Sequence, residues 1–501
     1  MHDLNHAPAD GTHPLCDDTV DRVDRADPRV EIPAYDRNAL TAGVVHIGVG
    51  AFHRAHQQIY FDALARTGET AWGVIGVGLH SRSPMDALEP QDTLYTVVER
   101  GADEDTVRIV GTLSEVLHGP EDPEAVIRAM ADEHIRLVTL TVTGGGYHVD
   151  LETHALLEDA EDIRHDLGDP HHPETFLPYV VEALARRRAN GVAPFTVLSC
   201  DNVPANGAVA RAAVTSFARL KDEGLADWIA EHVAFPSSMV DRITPETTEE
   251  SAAWVGEEFG IHDQWPVITE PFRQWVIEDR FCNERPPLDR VGVQFVADTG
   301  PYELVKKRLL NGSHCALGYL GSLAGHRTTN DAMSDPAISG YLRRLMDAEI
   351  GPLLPEVDGV DLERYKATLI ERFANPNVAD ELQRLAGRGS TKMPSYLLPT
   401  LHEAIDRGTP HALLDLAVAG WLRYLCGTDC DGNELTIKDA RLQELESLLR
   451  QDWPDPRPLL AERSIFGGLG EDEAFASRIE TLVRALDERG VHAVLAEAEA
   501  E

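Results

Sequence analysis

The chain has 501 residues, room for two to four domains at roughly 150 residues each, and too many for a peptide hormone, a zinc knuckle or a short binding module. Hydrophobic residues make up 43% and charged residues 26%, so the chain is neither broadly disordered nor fibrous. Forty-five lysines and arginines stand against 85 aspartates and glutamates, a net charge of −40. Such a charge repels duplex DNA, RNA and anionic membranes wherever a local basic patch is lacking, and the sequence contains no such patch.

Lysine is nearly absent: Lys221, Lys306, Lys307, Lys366, Lys392 and Lys438 are all there are. A salt-adapted surface and a coding bias that replaces lysine by arginine both account for this. The six cysteines are too scattered for a disulfide scaffold, which fits a reduced compartment. Cys426 and Cys430 lie close together, but without a second pair they do not make a structural zinc site. No segment reaches the roughly 18 apolar residues of a membrane span, and the first residues lack the basic and apolar regions of a signal peptide. A cytoplasmic protein is expected, monomeric or a small homo-oligomer.

Residues 1–36 carry Asp, His and Pro without apolar periodicity and read as a mobile acidic leader. GVVHIGVG (43–50) is an apolar run ending in glycines, followed by helical spacing in AFHRAHQQIYFDALART. WGVIGVG (72–78) supplies the next parallel strand. Residues 95–100 and 107–111, separated by GADEDT, predict an antiparallel hairpin. Parallel alternation resumes with IRLVTLTVT (135–143) before GGGY and with FTVLSC (195–200) before DNVPANG. Ligands of open α/β sheets lie outside the C-terminal strand ends, so 143–147 and 201–206 are candidate site loops. VGVQFVA (291–297) is the last strand. Beyond it helical periodicity dominates, beginning at PYELVKKRLLNGSHCALGYLGSLAG, where Thr299 can cap and Pro301 can open the first helix. The expected organisation is a Rossmann-type, dinucleotide-binding α/β domain over 37–298 and an all-helical domain over 299–501, with no internal repeat.

Gly48-Val49-Gly50-Ala51-Phe52-His53 begins like GxGxxG, whose glycines let backbone approach a pyrophosphate at a helix N-terminus. The third glycine is replaced by His53, so an ordinary glycine turn fits the spacing as well. Arg54 and His56 favour a bound anion, because cations in a first helical turn oppose the helix dipole. On the helix near Pro301, a wheel of 100° per residue gathers Glu303, Lys306, Lys307, Asn311 and His314 within an arc of about 140°. Lys306 borders the apolar stripe, where partial burial would bring a lysine toward the range of a general base. Lys307 shares the polar arc, and geometry alone leaves both open, as it leaves open a plain solvated face. Asn202, Asp241, Arg242, Arg384 and Lys392 lie at ends of apolar segments, where loops border a cleft.

HIGVGAFHRAHQ, TVTGGGY, SCDNVPANG, FPSSMVDRITP, EPFRQWVIED and KKRLLNGSHCALGYL, in this order, resemble the polyol-specific long-chain dehydrogenases/reductases, from about residue 40 to the C-terminus. The resemblance implies NAD(P)-dependent, metal-independent oxidation of a polyol such as mannitol to its 2-ketose, with the reverse reduction. The family's lysine, four residues, asparagine, two residues, histidine pattern falls on Lys306, Asn311 and His314, and so selects Lys306 over Lys307. It makes Lys306 the base, Asn202 and Asn311 amide donors to the reacting oxygen, and His314 a holder of the neighbouring hydroxyl. Glu303 would relay the proton or merely pair with Lys306. Asp241, Arg384 and Lys392 match positions that bind polyol hydroxyls, and Gly48, Gly50, Ala51, Phe52, His53, Arg54 and Thr143 fall on the cofactor side.

Two departures stand out. Gly144 occupies a place where the family commonly has glutamate, and GLHSRSP after the second strand carries Arg82 where NAD-preferring relatives often carry acidic residues. Arg82 would suit a 2′-phosphate, so NADP is an expectation beside NAD. Arabinitol dehydrogenases, reductases of sugar acids of the fructuronate and mannonate type, and a catalytically silent sugar- or cofactor-binding protein are the alternatives.

Overall fold

A computed structural model describes residues 13–23, 27–378, 380–450 and 453–500. The chain divides into two compact units, the first ending at Gly300 and the second starting at Pro301.

In the first unit the strands are β1 (Ala42–Ile47), β2 (Gly73–Gly78), β3 (Tyr95–Arg100), β4 (Asp105–Val110), β5 (Leu113–His118), β6 (Leu137–Leu140) and β7 (Thr196–Ser199). Five of them form an all-parallel sheet in the order β5-β2-β1-β6-β7. The order reverses beside β1, which puts the switch point between β1 and β6. Parallel strands need cover on both faces. Val45, Ile47, Val138 and Leu140 pack against residues of α4 (Pro123–Ala131), α5 (Leu177–Asn190) and α6 (Asn206–Lys221). Val44, Val74, Leu137 and Leu198 pack on the other face against Ile59, Phe61 and Leu64.

Those three apolar residues belong to the helical stretch after the glycine turn. It is two helices, α1 (Ala51–Ala55) and α2 (Gln57–Arg66), broken at His56, whose φ of −116° and ψ of −80° leave the helical region. The expected hairpin is β3 and β4, antiparallel from Tyr95↔Val110 to Arg100↔Asp105. The edge strand β5 is absent from the sequence reading, because LSEVLH follows the hairpin directly with no turn signature to separate it. A three-stranded sheet holds β8 (Ser238–Asp241), β9 (Gln274–Glu278) and β10 (Gln294–Val296).

Residues 13–23 and 27–36 correct the expectation of a mobile leader. His13–Pro14 pairs with Ile261–His262, Val30–Glu31 pairs with Val107–Arg108, and Leu15 is buried beside Leu94, Val98, Ile109 and Phe259. The anchoring residues are single apolar side chains on two-residue strands, too sparse to register as periodicity. The first residues of that leader, 1–12, lie outside the described residues.

The second unit opens with α7 (Gly300–Val305), a π-helical turn (Lys306–Asn311) and α8 (Gly312–Leu323). The Gly300 N–H is taken by Asp298 Oδ1 at 2.8 Å. Almost all of α8 is buried, and it packs against α10 (Leu382–Ala386) and α12 (Ala412–Tyr424). At Gly318 a Cβ would lie 2.9 Å from the Ala386 nitrogen, so glycine is what lets α10 approach α8. Between them in sequence runs α9 (Leu362–Phe373), and after α10 comes the short α11 (Gly389–Lys392). Among the described residues no helix is long and apolar enough to cross a membrane.

Candidate functional site

At the C-terminal edge of the parallel sheet, Gly48 takes φ +103°, and a Cβ there would stand 2.1 Å from the Thr141 carbonyl oxygen. Only glycine fits. Gly50 precedes α1 in extended conformation (φ −107°), and a Cβ on it would meet nothing nearer than 3.9 Å. The backbone N–H groups of Ala51 and Phe52, which open α1, lack intrahelical partners. Open space at Gly50 beside such donors fits the pyrophosphate of a dinucleotide.

The missing third glycine has a physical explanation. In dinucleotide folds that glycine allows close helix–strand packing; here the His53 ring lies flat on the His46 ring of β1, with centroids 3.4 Å apart and 6° between planes. Burial holds His53 well below the ordinary histidine range and pushes His46 down to about 3, so both rings are neutral. His46 Nε2 lies 3.0 Å from the Gly48 carbonyl, which braces the turn. Phe52 stacks on His56. Arg54, expected to signal a bound anion, is buried: its guanidinium lies 3.5 Å over the Trp265 ring and donates to the Trp265 carbonyl.

The two candidate loops are adjacent because β6 and β7 are neighbours. Thr143, a β-branched residue at φ +66°, is a backbone outlier of the kind that costs about 1–3 kcal/mol and gathers at functional sites. Its N–H donates to Asp201 Oδ1 at 2.9 Å, and that of Val142 donates to Oδ2 at 3.0 Å. Asn202, the next residue, is exposed in the loop after β7. Asp241 ends β8 and is buried; Arg242 beside it donates to the carbonyls of Glu270 and Ala55 and pairs with Glu99 at 2.5 Å.

Arg82 precedes α3 (Ser83–Leu88). It pairs with Asp86 at 3.0 Å, Glu89 at 3.2 Å and Glu121. Three carboxylates against one guanidinium leave surplus negative charge where the sequence alone suggested a phosphate receptor.

In the second unit, the π segment alters the helical wheel. Its i→i+5 hydrogen bonding underwinds the helix, which swings Asn311 toward the side of Lys306 as well as that of Lys307, so the register alone does not choose between the two lysines. Lys306 is 7% exposed. Lys307 is 29% exposed and pairs with Glu303 at 3.5 Å, an i,i+4 pair.

His314 packs against Phe373 at 4.7 Å, and its Nε2 is buried without a hydrogen-bond partner. Burial first, then the charges of Arg384, Arg372, Lys392 and Lys306, hold its pKa well below the ordinary range. Four cations therefore surround one neutral imidazole. Arg384 is clasped by Asp380 through Nε at 2.6 Å and through Nη2, and Lys392 donates to the carbonyls of Arg384 (3.0 Å) and Leu385 (2.7 Å). Burial pushes Lys392 down to about 8. Arg372 and Asp380 were not picked out in the sequence, where each reads as the polar side of a surface helix or turn. Among the described residues no group of three or more His, Cys, Asp or Glu side chains is arranged to hold a metal ion, and the six cysteines are free thiols.

The switch point and its glycine turn put the first unit in the class of dinucleotide-binding α/β domains, here followed by a helical unit with a lysine-bearing π turn. Comparison with known proteins narrows the class. Residues 42–290 match the mannitol dehydrogenase Rossmann domain and residues 298–487 the mannitol dehydrogenase C-terminal domain. The chain belongs to the mannitol dehydrogenase family. It is 43% identical over 476 residues to a mannitol 2-dehydrogenase of Pyricularia oryzae, covering 93% of this chain and 95% of that one. It is 42% identical over 472 residues to mannitol dehydrogenase 2 of Saccharomyces cerevisiae, covering 93% and 94%. The Pseudomonas fluorescens mannitol 2-dehydrogenase, solved as a ternary complex with NAD and D-mannitol, superposes with a TM-score of 0.87 at 42% identity, covering 98% of this chain and 100% of that one.

Proposed function

We propose that this protein oxidises a polyol of the mannitol type to its 2-ketose with NAD, and catalyses the reverse reduction, using Lys306 as the base and no metal ion. The observation that carries the reading is the burial of Lys306 in the π turn that also holds Asn311, while Lys307 is more exposed and is engaged by Glu303.

A bound NAD would supply the acceptor for the hydride of the carbinol carbon. As the hydride leaves, the hydroxyl oxygen gains negative character, and the side-chain amides of Asn202 and Asn311 donate hydrogen bonds to it. The unprotonated amine of Lys306 takes its proton, and in the reverse direction the ammonium returns it to the ketose oxygen. His314, held neutral by burial first and then by the charges of Arg384, Arg372 and Lys392, offers hydrogen bonds to a second hydroxyl without adding charge. Asp241, Arg384 and Lys392 bind the remaining hydroxyls. The open space at Gly50 receives the pyrophosphate, and the carboxylates around Arg82 favour NAD over NADP.

Initial rates of NADH formation with mannitol, arabinitol and mannonate test the reading. Mannitol is expected to give the highest kcat/KM, unchanged after dialysis against EDTA. Greater efficiency on mannonate replaces the polyol by a sugar acid, and loss of activity on EDTA treatment removes the lysine-only mechanism.

A further inference from the structure

Asp201 is half-buried, and both its carboxylate oxygens are occupied by donors from the neighbouring loop. Oδ1 accepts the Thr143 N–H at 2.9 Å; Oδ2 accepts the Val142 N–H at 3.0 Å and the Tyr147 hydroxyl at 2.7 Å. The Tyr147 hydroxyl also lies 2.6 Å from Ser199 Oγ at the end of β7. The backbone of Asp201 is fixed in turn: Asn206 Nδ2 donates to its carbonyl at 3.0 Å and to that of Ser238 at 2.8 Å. One side chain therefore ties the loop after β6, with its outlier Thr143, to the loop after β7, in which the next residue is Asn202.

A carboxylate suits this place because every group facing it donates. An ionised carboxylate accepts at both oxygens, whereas an amide of the same shape turns an NH₂ toward one of the donors.

We propose that Asp201 is a positioning residue, the clasp that holds the 141–147 loop against the 200–205 loop and thereby fixes Asn202 for its hydrogen bond to the reacting oxygen. The inference rests on the role given to Asn202 above. A bond that strengthens only as charge develops lowers kcat and kcat/KM together when it is misplaced and leaves KM nearly unchanged.

The experiment compares Asp201→Asn, Asn202→Ala and the double variant, by steady-state mannitol oxidation and by hydrogen exchange at the Val142 and Thr143 amides. Asp201→Asn is expected to lower kcat about 10- to 100-fold, to change KM for mannitol by less than about threefold, and to speed exchange at both amides. In the Asn202→Ala background the same substitution should cost less than about twofold, because the clasp then has nothing left to position. Multiplicative losses in the double variant, or a kcat unchanged by Asp201→Asn, overturn the proposal; unchanged exchange at both amides removes the clasp itself. Should Asp201→Asn fail to fold, Tyr147→Phe removes one bond of the clasp and is expected to lower kcat several-fold in the wild-type background and by less than about twofold beside Asn202→Ala, with the same overturning results. Exchange is read without turnover, so a wild type that oxidises no polyol would refute the proposed function while leaving the clasp measurable.

Discussion

The two units prepare for chemistry by opposite means. In the first, the backbone is what is shaped: glycine at φ +103°, threonine at φ +66°, and a carboxylate that gathers main-chain N–H groups. In the second, helices carry the chemistry on side chains, and Lys306 and Asn311 share one of the π turns that interrupt the α geometry there. A backbone-built site tolerates few residue types at each place, whereas a helix-built site depends on register. The first should be broken by adding a methyl group and the second by removing an amine.

The largest effect expected follows from the second unit. Lys306→Ala should lower turnover by about 100-fold or more, the scale of a lost general base, with NADH binding by fluorescence titration preserved. Lys307→Ala should stay within a few-fold of wild type, since its amine is paired with Glu303. If the two variants exchange behaviour, burial is not what selects the base.

Two alanines sharpen the backbone side. Gly48→Ala forces a Cβ to within 2.1 Å of the Thr141 oxygen at φ +103° and should destabilise the fold by about 2–4 kcal/mol, seen as a lower Tm. Gly50→Ala meets no atom of the protein closer than 3.9 Å. Its Tm should move by no more than a degree or two while NADH binding weakens about tenfold, because the new methyl group occupies the space left for the pyrophosphate. An unchanged Kd for NADH at Gly50→Ala would move the cofactor away from this turn.

The helical side makes a prediction about pH. Lys392 has an ordinary pKa of 10.5 in the unfolded chain and about 8 in the fold. Between those values the unfolded chain binds more protons than the folded one, so stability rises with pH. Below pH 8 both forms are charged and the burial cost is fully present, at most roughly 3 kcal/mol. Lys392→Met removes that cost but strips the carbonyls of Arg384 and Leu385 of their donor. It should therefore stabilise the protein at pH 7 by about 1–2 kcal/mol and flatten the rise between pH 8 and 10.5, as measured by urea unfolding across that range. A loss of stability at pH 7 would mean that the two hydrogen bonds outweigh the burial of the charge.

The same contrast explains what the sequence made legible. Glycines at 48 and 50 and the polar ends of apolar strands are local signals, and they led directly to the loops at 143–147 and 201–206. The clasp was invisible because Asp201 finds its partners at Val142, Thr143 and Tyr147, more than fifty residues away, and nothing in a single sequence links them. The lysine arc was found with a wheel of 100° per residue, which carries both Lys306 and Lys307; the burial of Lys306 and the pairing of Lys307 with Glu303 depend on packing that the wheel does not contain. Arg372 and Asp380 looked like solvent-facing residues because their burial depends on how α9 and α10 pack within the unit. Arg82 looked like a phosphate ligand because Glu121, which holds it, follows a different strand.

That last residue carries the smallest effect. The carboxylates of Asp86, Glu89 and Glu121 neutralise and outnumber the Arg82 guanidinium at the end of β2, the strand beside β1 in the parallel sheet. A 2′-phosphate brought there would have to displace carboxylates already on the arginine and meet the rest as like charges, although solvent at these exposed groups screens much of the repulsion. Wild-type enzyme should accordingly prefer NAD. Asp86→Asn, Glu89→Gln and Glu121→Gln together should raise the NADP to NAD ratio of kcat/KM about tenfold, and adding Arg82→Ala should reverse that gain, because the freed guanidinium is what the phosphate would pair with. A ratio that ignores all four substitutions would detach the end of β2 from cofactor choice and leave the acidic ring as surface charge alone.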